Sequence, residues 1–253
     1  MKYKWVIASD IDNTLTGNRD ALEGLGKRLS RLRDEGSLFL ILSTGRTIDQ
    51  VVRGFDSEGI PLPDAVVSQV GTEIYLPPIS VDSRPTAEWN QFLVGCFSRE
   101  EALELTRGIS GLKMQPDEFN TPLKLSFFVE SDDAEGVVRT LRNRINRSGT
   151  GEGRVIWSSG KDLDIIPAAA GKGKAVSFLL EMQKIEYQTV IAAGDSGNDL
   201  TMFEEFHKGI IVGNAQPELR KYGQSGSEPG VYQAEKSFAA GVSEGLDHFG
   251  LPG

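Results

Sequence analysis

The stretch VIASDIDNTLTG (Val6–Gly17) decides how this chain is read. A short apolar run, Val6 to Ser9, reads as a buried strand. It ends in two aspartates, Asp10 and Asp12, one residue apart. Side chains at i and i+2 of an extended segment point to the same side. Two carboxylates placed there repel each other unless a cation offsets them. An isolated pair of this kind is ordinarily a strand-end turn with a helix cap, so the rest of the chain has to supply the reason.

Moving outward, strands and helices alternate. Leu22, Leu25, Leu29 and Leu32 recur at helical spacing over residues 20–35, and Gly36 marks a stop. LFLILS (Leu38–Ser43) reads as a second buried strand, followed by TGRT and a helix through Val51, Val52 and Phe55. DAVVSQVGTEIY gives a short strand and a turn. Downstream, DLDIIP (Asp162–Pro167), TVIAAG (Thr189–Gly194) and KGIIVGN (Lys208–Asn214) are strand-like, with helices expected over 174–184 and 199–206. Alternation with apolar strands predicts an α/β fold, a Rossmann-like parallel sheet covered on both faces.

The middle differs. LKLSFFVE alternates polar and apolar, RVIWSS is short, and helices are expected near 99–108 and 132–147. This predicts a smaller, more open α/β domain inserted into the first. Residues 1–78 and 160–253 would form the core and 79–159 the insertion. NRSGTGEGR (residues 146–154) and GQSGSEPG (residues 223–230) read as mobile connections.

The chain has 253 residues, 39% hydrophobic and 25% charged, which suits a globular core plus an insertion. No apolar run reaches the ~20 residues of a membrane helix, and the five-residue run at the N-terminus is too short for a signal peptide. The single cysteine, Cys96, permits no internal disulfide and points to the cytoplasm. A net charge of −9 argues against nucleic acid or an anionic membrane as partner. It also means that an anionic substrate needs a local source of positive charge.

Ligands of an open parallel sheet bind beyond the carboxyl ends of its strands. Asp10 and Asp12 fall there, as do Ser43–Arg46, Lys172 with Lys174, and GDSGND (Gly194–Asp199). Asp195 and Asp199 add two carboxylates to the opening pair. Oxygen ligands without histidine or cysteine suit Mg²⁺. Such a site normally includes substrate phosphate, for which Lys172 supplies an ammonium and the TGR turn a helix start. In that setting Asp10 is the candidate nucleophile, forming an aspartyl-phosphate, and Asp12 the general acid–base. Asp12 could meet the metal through its backbone carbonyl while its carboxyl does proton transfer. AGKGKA lacks the full spacing of a P-loop, and GDSGND lacks the remainder of a calcium loop.

DIDNT, STGR, GKGK and GDSGND, in this order, resemble the haloacid-dehalogenase-like phosphatase superfamily. The resemblance implies Asp10 as nucleophile, Asp12 as acid–base and Thr44 and Lys172 as phosphate ligands, with Gly45 and Asn198 beside them. It implies Mg²⁺ held by Asp10, Asp12 and Asp195, with Asp199 in support. VGTEIY, SSGKDLDIIP, GDSGNDLTMFE, GIIVGNAQPEL and SFAAGVSEGLDHF narrow the resemblance to sucrose-phosphate phosphatases. In that case the insertion is a cap that holds the sugar, with Glu73, Gln115, Lys124, Lys161 and Asp162 as candidate contacts. Leu15 stands where that family usually has tryptophan, so a related disaccharide phosphate such as mannosylfructose phosphate stays open. The expected partner is a small sugar phosphate, and a monomer is expected. A phosphomutase on the same aspartyl-phosphate and a silent sugar-phosphate sensor are the competing readings; a sensor has no need of a nucleophile. Trp89 and Trp157 could stack on a sugar, with packing as the default.

Overall fold

The computed structural model describes residues 2–148, 152–224 and 230–253. The first half of the core runs β1 (Lys2–Ser9), α1 (Arg19–Asp34), β2 (Leu38–Ser43), α2 (Ile48–Ser57), β3 (Ala65–Ser68), β4 (Glu73–Tyr75) and α3 (Ala87–Val94). The small domain follows as α4 (Arg99–Thr106), β5 (Leu112–Met114), β6 (Leu125–Val129), α5 (Ala134–Arg147), β7 (Gly153–Ser158) and β8 (Asp162–Pro167). The chain then returns through α6 (Lys172–Met182), β9 (Glu186–Gly194), α7 (Leu200–Phe206), β10 (Gly209–Ile211), α8 (Pro217–Gln224), β11 (Val231–Gln233) and α9 (Phe238–His248).

The large sheet has the order β11-β10-β9-β1-β2-β3-β4 and is parallel except for the β3–β4 pair. β1 sits at its centre, Val6 facing Phe39 of β2 on one side and Val190 of β9 on the other. Its apolar run follows from that position, since a central parallel strand is covered on both faces. On α1, Leu22, Leu25, Leu29 and Leu32 are the buried stripe, and Asn18 caps the helix by accepting from the Ala21 N–H. α2 starts with a reciprocal capping box between Thr47 and Gln50, which fixes the turn that carries Thr44 and Gly45.

The small sheet has the order β5-β6-β8-β7 and is antiparallel throughout. Its strands alternate. Leu125, Phe127, Val129, Leu163 and Ile165 pack against Val138, Leu141 and Ile145 of α5, forming a separate apolar cluster. The other face turns to the large domain, and Leu123, Ile156 and Ile166 join the main core there.

Two expectations from sequence are corrected. DLDIIP is not a core strand: it is β8, paired with β6 and β7 in the small sheet. The return to the core therefore comes at the start of α6 and not at residue 160. At the other boundary, α3 lies beyond residue 79 yet packs on the core. Trp89 and Leu93 are buried in the main cluster, and the Trp89 ring lies 4.7 Å from that of Phe178 in α6. Residues 149–151 and 225–229, which fall in the two stretches expected to be mobile, lie outside the described residues.

Candidate active site

β1 delivers Asp10 to the carboxyl edge of the sheet, where its N–H bonds to Ala193 O of β9 at 2.9 Å. β9 ends in Gly194 and passes directly to Asp195. Lys172 opens α6 and is fully buried. Its Nζ donates to Asp10 Oδ1 and to Asp199 Oδ1, both at 2.6 Å. Asp199 Oδ2 in turn accepts the backbone N–H groups of Asp195 and Ser196 at 3.0 and 3.1 Å. Carboxylate oxygens of Asp10, Asp195 and Asp199 all lie within 4.8 Å of one another.

This packing of charge has electrostatic consequences. Burial pushes the Asp10 carboxyl up to about 7 against the attraction of Lys172, with Asp199 adding repulsion. Burial pushes Asp195 up to about 8, and the charges of Asp199 and Asp10 add to it. Burial works against the Lys172 charge as well, but Asp10 and Asp199 outweigh it and hold the ammonium above its ordinary range. One cation thus faces three carboxylates. Asp195 Oδ2 is buried and accepts no hydrogen bond from any described residue. Hard oxygen donors in surplus over positive charge, one of them unpartnered, fit a Mg²⁺ ion.

Thr44 is buried at the end of β2, its N–H held by Val67 O at 2.8 Å and its Oγ1 accepting from Arg46 N–H at 3.1 Å. Gly45 follows in the same turn. Asn198 lies in the turn that carries Asp199, its Oδ1 3.4 Å from Ser196 Oγ. The small domain touches this turn closely, because a Cβ built on Gly197 would lie 2.4 Å from Trp157 O of β7. A side chain at position 197 would hold the two domains apart.

The Asp12 side chain lies apart from the other expected metal ligands, which leaves its backbone carbonyl as the group that could meet an ion. Its carboxylate stands outside the Asp10–Asp195–Asp199 cluster and pairs with Arg46 in a two-pronged contact of 2.9 and 2.7 Å. Arg46 is anchored from behind by Glu58 at 2.5 and 2.9 Å. Asp12, Arg46, Gln50 and Glu58 line a cavity of about 510 Å³ that reaches Phe119 of the small domain. The Asp12 carboxylate is thus half exposed at the edge of this cavity and apart from the buried carboxylate cluster.

The sugar candidates divide. Gln115 and Asp162 meet, Nε2 donating to Oδ1 at 3.1 Å, on the face of the small sheet turned to the core. Burial raises the Asp162 carboxyl above the usual carboxylate range. Lys124 is buried with Nζ 3.6 Å from Asp164 Oδ1. Lys161 is exposed on the β7–β8 turn. Glu73 is occupied within the core, accepting from Ser68 Oγ at 3.1 Å and from Tyr75 OH at 2.9 Å. Trp89 Nε1 donates to Gly71 O at 3.1 Å and Trp157 packs against the small-domain cluster, so both serve packing. Glu58 and Asp164 were not singled out from sequence, and Arg46 was placed at the strand end without a role; Arg46 and Glu58 hold Asp12, and Asp164 accepts from Ser126 Oγ at 2.6 Å. The i, i+2 spacing of Asp162 and Asp164 was a usable signal for the last.

A family model for sucrose-6F-phosphate phosphohydrolase matches residues 3–250. A sucrose-phosphatase of Nicotiana tabacum is 33% identical over 256 residues, covering 97% of this chain and 59% of its own length. This chain therefore spans about three-fifths of the tobacco protein. A mannosylfructose-phosphate phosphatase of Agrobacterium fabrum is 30% identical, covering 99% of both chains. Among solved structures, the sucrose-phosphatase of Synechocystis, described in complex with sucrose and phosphate, superposes with a TM-score of 0.88. It is 30% identical, with 98% of each chain covered. A haloacid-dehalogenase-like hydrolase from Bacillus subtilis, 18% identical with a TM-score of 0.63, shares the fold; the match covers 98% of this chain and 95% of that one.

Proposed function

This chain belongs to the sucrose-6F-phosphate phosphohydrolase family, and on that premise we propose that it is a Mg²⁺-dependent phosphatase of a disaccharide phosphate. Sucrose 6-phosphate and mannosylfructose phosphate are the leading substrates, since relatives named for each are about equally similar. The observation that carries the reading is the Lys172 ammonium bridging Asp10 and Asp199 beside the unpartnered oxygen of Asp195.

Asp10 attacks phosphorus, the bond from phosphorus to the sugar oxygen breaks, and an aspartyl-phosphate forms. Asp12 gives its proton to the departing sugar oxygen. It then takes a proton from the water that cleaves the aspartyl-phosphate and releases phosphate, a contribution typically worth ~10²–10⁴-fold. Arg46, fixed by Glu58, sets the direction of the Asp12 carboxyl. Lys172, Thr44, Gly45 and Asn198 orient the phosphoryl group, and Lys172 also offsets its charge. Asp10, Asp195 and the backbone carbonyl of Asp12, with Asp199 in support, would hold Mg²⁺, which would supply further neutralisation of the phosphoryl charge. Gln115, Lys124 and Asp162 face the sugar from the cap.

No helix among the described residues is long and apolar enough to cross a membrane. A cytoplasmic monomer acting on a small metabolite is the setting we infer, with Cys96 reduced. The test is phosphate release from sucrose 6-phosphate, mannosylfructose phosphate, glucose 6-phosphate, fructose 6-phosphate and an aryl phosphate, with Mg²⁺ and with EDTA. The expected result is Mg²⁺-dependent preference for one disaccharide phosphate, without any activating bisphosphate. Preference for a monosaccharide phosphate, or activity unaffected by chelation, refutes the reading.

A further inference from the structure

The chain leaves β3 through an unusual bend. Gln69 and Val70 take φ of 50° and 59°, consecutive left-handed residues of which neither is glycine and one is β-branched. Such strain persists only where the surroundings hold it, and it gathers at functional sites. Here the bend is stitched to the phosphate seat: Gln69 N–H donates to Arg46 O at 3.1 Å and Val70 N–H to Thr44 O at 3.0 Å. Thr72 Oγ1 closes it from behind by donating to Gln69 O at 3.0 Å.

The bend places a polar side chain where the two domains meet. Gln69 is 3% exposed. Its Nε2 donates across the seam to Glu118 O in the turn before β6 at 3.3 Å. A carbonyl can only accept, so this contact fixes which end of the amide faces the cap. Oε1 is then left buried with no partner among the described residues. A buried carbonyl oxygen without a donor is costly and calls for an explanation. The turn it grips leads directly to the polar face of the cap: Asn120 Nδ2 donates to Gln115 O at 2.9 Å, and Ser126 Oγ lies 2.9 Å from Phe119 O.

We propose that Gln69 is a specificity residue, whose Nε2 latches the cap and whose Oε1 accepts a hydroxyl of the sugar held between cap and core. The proposal rests on the phosphatase reading above. A sugar esterified to a phosphate at Thr44 lies next to the bend that Thr44 itself helps to hold. The hydroxyl would be read only in the closed state, because only there is Oε1 withdrawn from water.

The test compares wild type with Gln69→Leu and, as a second apolar replacement of similar length, Gln69→Met. Steady-state kinetics are measured with the preferred disaccharide phosphate and with p-nitrophenyl phosphate, alongside thermal melting. The expected result is a loss of about tenfold or more in kcat/KM for the disaccharide phosphate, carried mainly by KM. The aryl phosphate should stay within twofold, and the melting temperature should change little, because removing the unpaired buried acceptor offsets the lost contact with Glu118 O. Disaccharide phosphate kinetics within twofold of wild type overturn the proposal. So does an equal loss on both substrates, which is what a purely structural bend or a trapped water would give. If wild type itself hydrolyses no disaccharide phosphate, the phosphatase reading has failed, a result distinct from an active wild type with indifferent variants.

Discussion

Replacing Asp10 by asparagine keeps the side chain's size and removes both its charge and its nucleophilic oxygen. Turnover of every phosphate ester should fall by roughly four orders of magnitude or more, the scale seen when a covalent nucleophile is deleted. Stability should move in a direction set by burial. The Asp10 carboxyl is pushed from 3.8 to about 7 in the folded chain. Between those values the folded protein keeps a proton that the unfolded chain releases. The unfolded state therefore binds fewer protons, and stability of the chelated wild type falls as pH rises through this window. Three pH units at about 1.4 kcal/mol each set a ceiling of roughly 4 kcal/mol. Lys172 stays charged throughout and adds no slope, since its pKa is raised. Asp195 adds a slope of its own in both proteins, smaller in the variant because the Asp10 charge is one of its causes.

In EDTA, then, the melting temperature of Asp10→Asn minus that of wild type should grow from pH 5 to pH 8. From pH 5 only about two of the three units remain, about 2.7 kcal/mol, so at roughly 2–4 °C per kcal/mol the growth should be several degrees and at most about 11 °C. Mg²⁺ at a hundred times its dissociation constant should return about 2.7 kcal/mol to wild type and less to the variant, which has one ligand fewer. Differential scanning fluorimetry across pH, with and without Mg²⁺, measures all of this beside a phosphate-release assay. Parallel melting curves in EDTA would show that Asp10 is not held protonated by burial. Retained turnover would remove it as the nucleophile.

Gln115→Ala should raise KM for the disaccharide phosphate about tenfold with little change in melting temperature or in aryl phosphate hydrolysis; equal loss on both would make the Gln115–Asp162 contact a folding feature. Lys124→Met leaves Asp164 buried without its cation and should cost up to roughly 3 kcal/mol. Adding Asp164→Asn should restore melting but not sugar affinity, and recovery of both would deny Lys124 a role in binding. Gly71 has φ of 89°, and a Cβ there would sit 2.3 Å from Gly171 C and 2.6 Å from Lys172 N. Gly71→Ala must therefore displace the start of α6, and kcat on the aryl phosphate should drop about a hundredfold. Wild-type kcat would show that Lys172 is positioned from elsewhere.

The carboxylate and lysine cluster of the candidate site was legible because each part of it is local. A parallel strand exposes the residues at its carboxyl end, so Asp10, Thr44 and Asp195 could be placed from strand patterns alone. Lys172 was placed correctly although the strand before it was not, since what matters is the N-terminus of α6. DLDIIP misled for a physical reason. Asp162 and Asp164 alternate with Leu163 and Ile165 as a half-covered strand should, but Ile166 is buried by the core on the opposite face. A cap strand covered on both sides at one end carries the signature of a core strand. α3 misled in the converse way, since nothing in its periodicity says which domain Trp89 packs on.

The part of the candidate site at the domain seam was less legible because its contacts cross from one domain to the other. Asp12 was recognisable as an acid, but its direction is set by Arg46 and through it by Glu58, 46 positions later in the chain than Asp12. Gln69 carries no sequence signal at all: its left-handed bend and its contact with Glu118 exist only once cap and core are together. The seam combines three apolar anchors, Leu123, Ile156 and Ile166, with a polar face of Lys124, Ser126, Asp162 and Asp164. Apolar contact can hold the cap on the core without reference to what is bound, whereas on the proposed reading the polar groups distinguish one sugar from another. On that reading the nucleophile and lysine lie in the core, while the groups that read the sugar come from both sides of one interface, Gln69 from the core and Gln115, Lys124 and Asp162 from the cap.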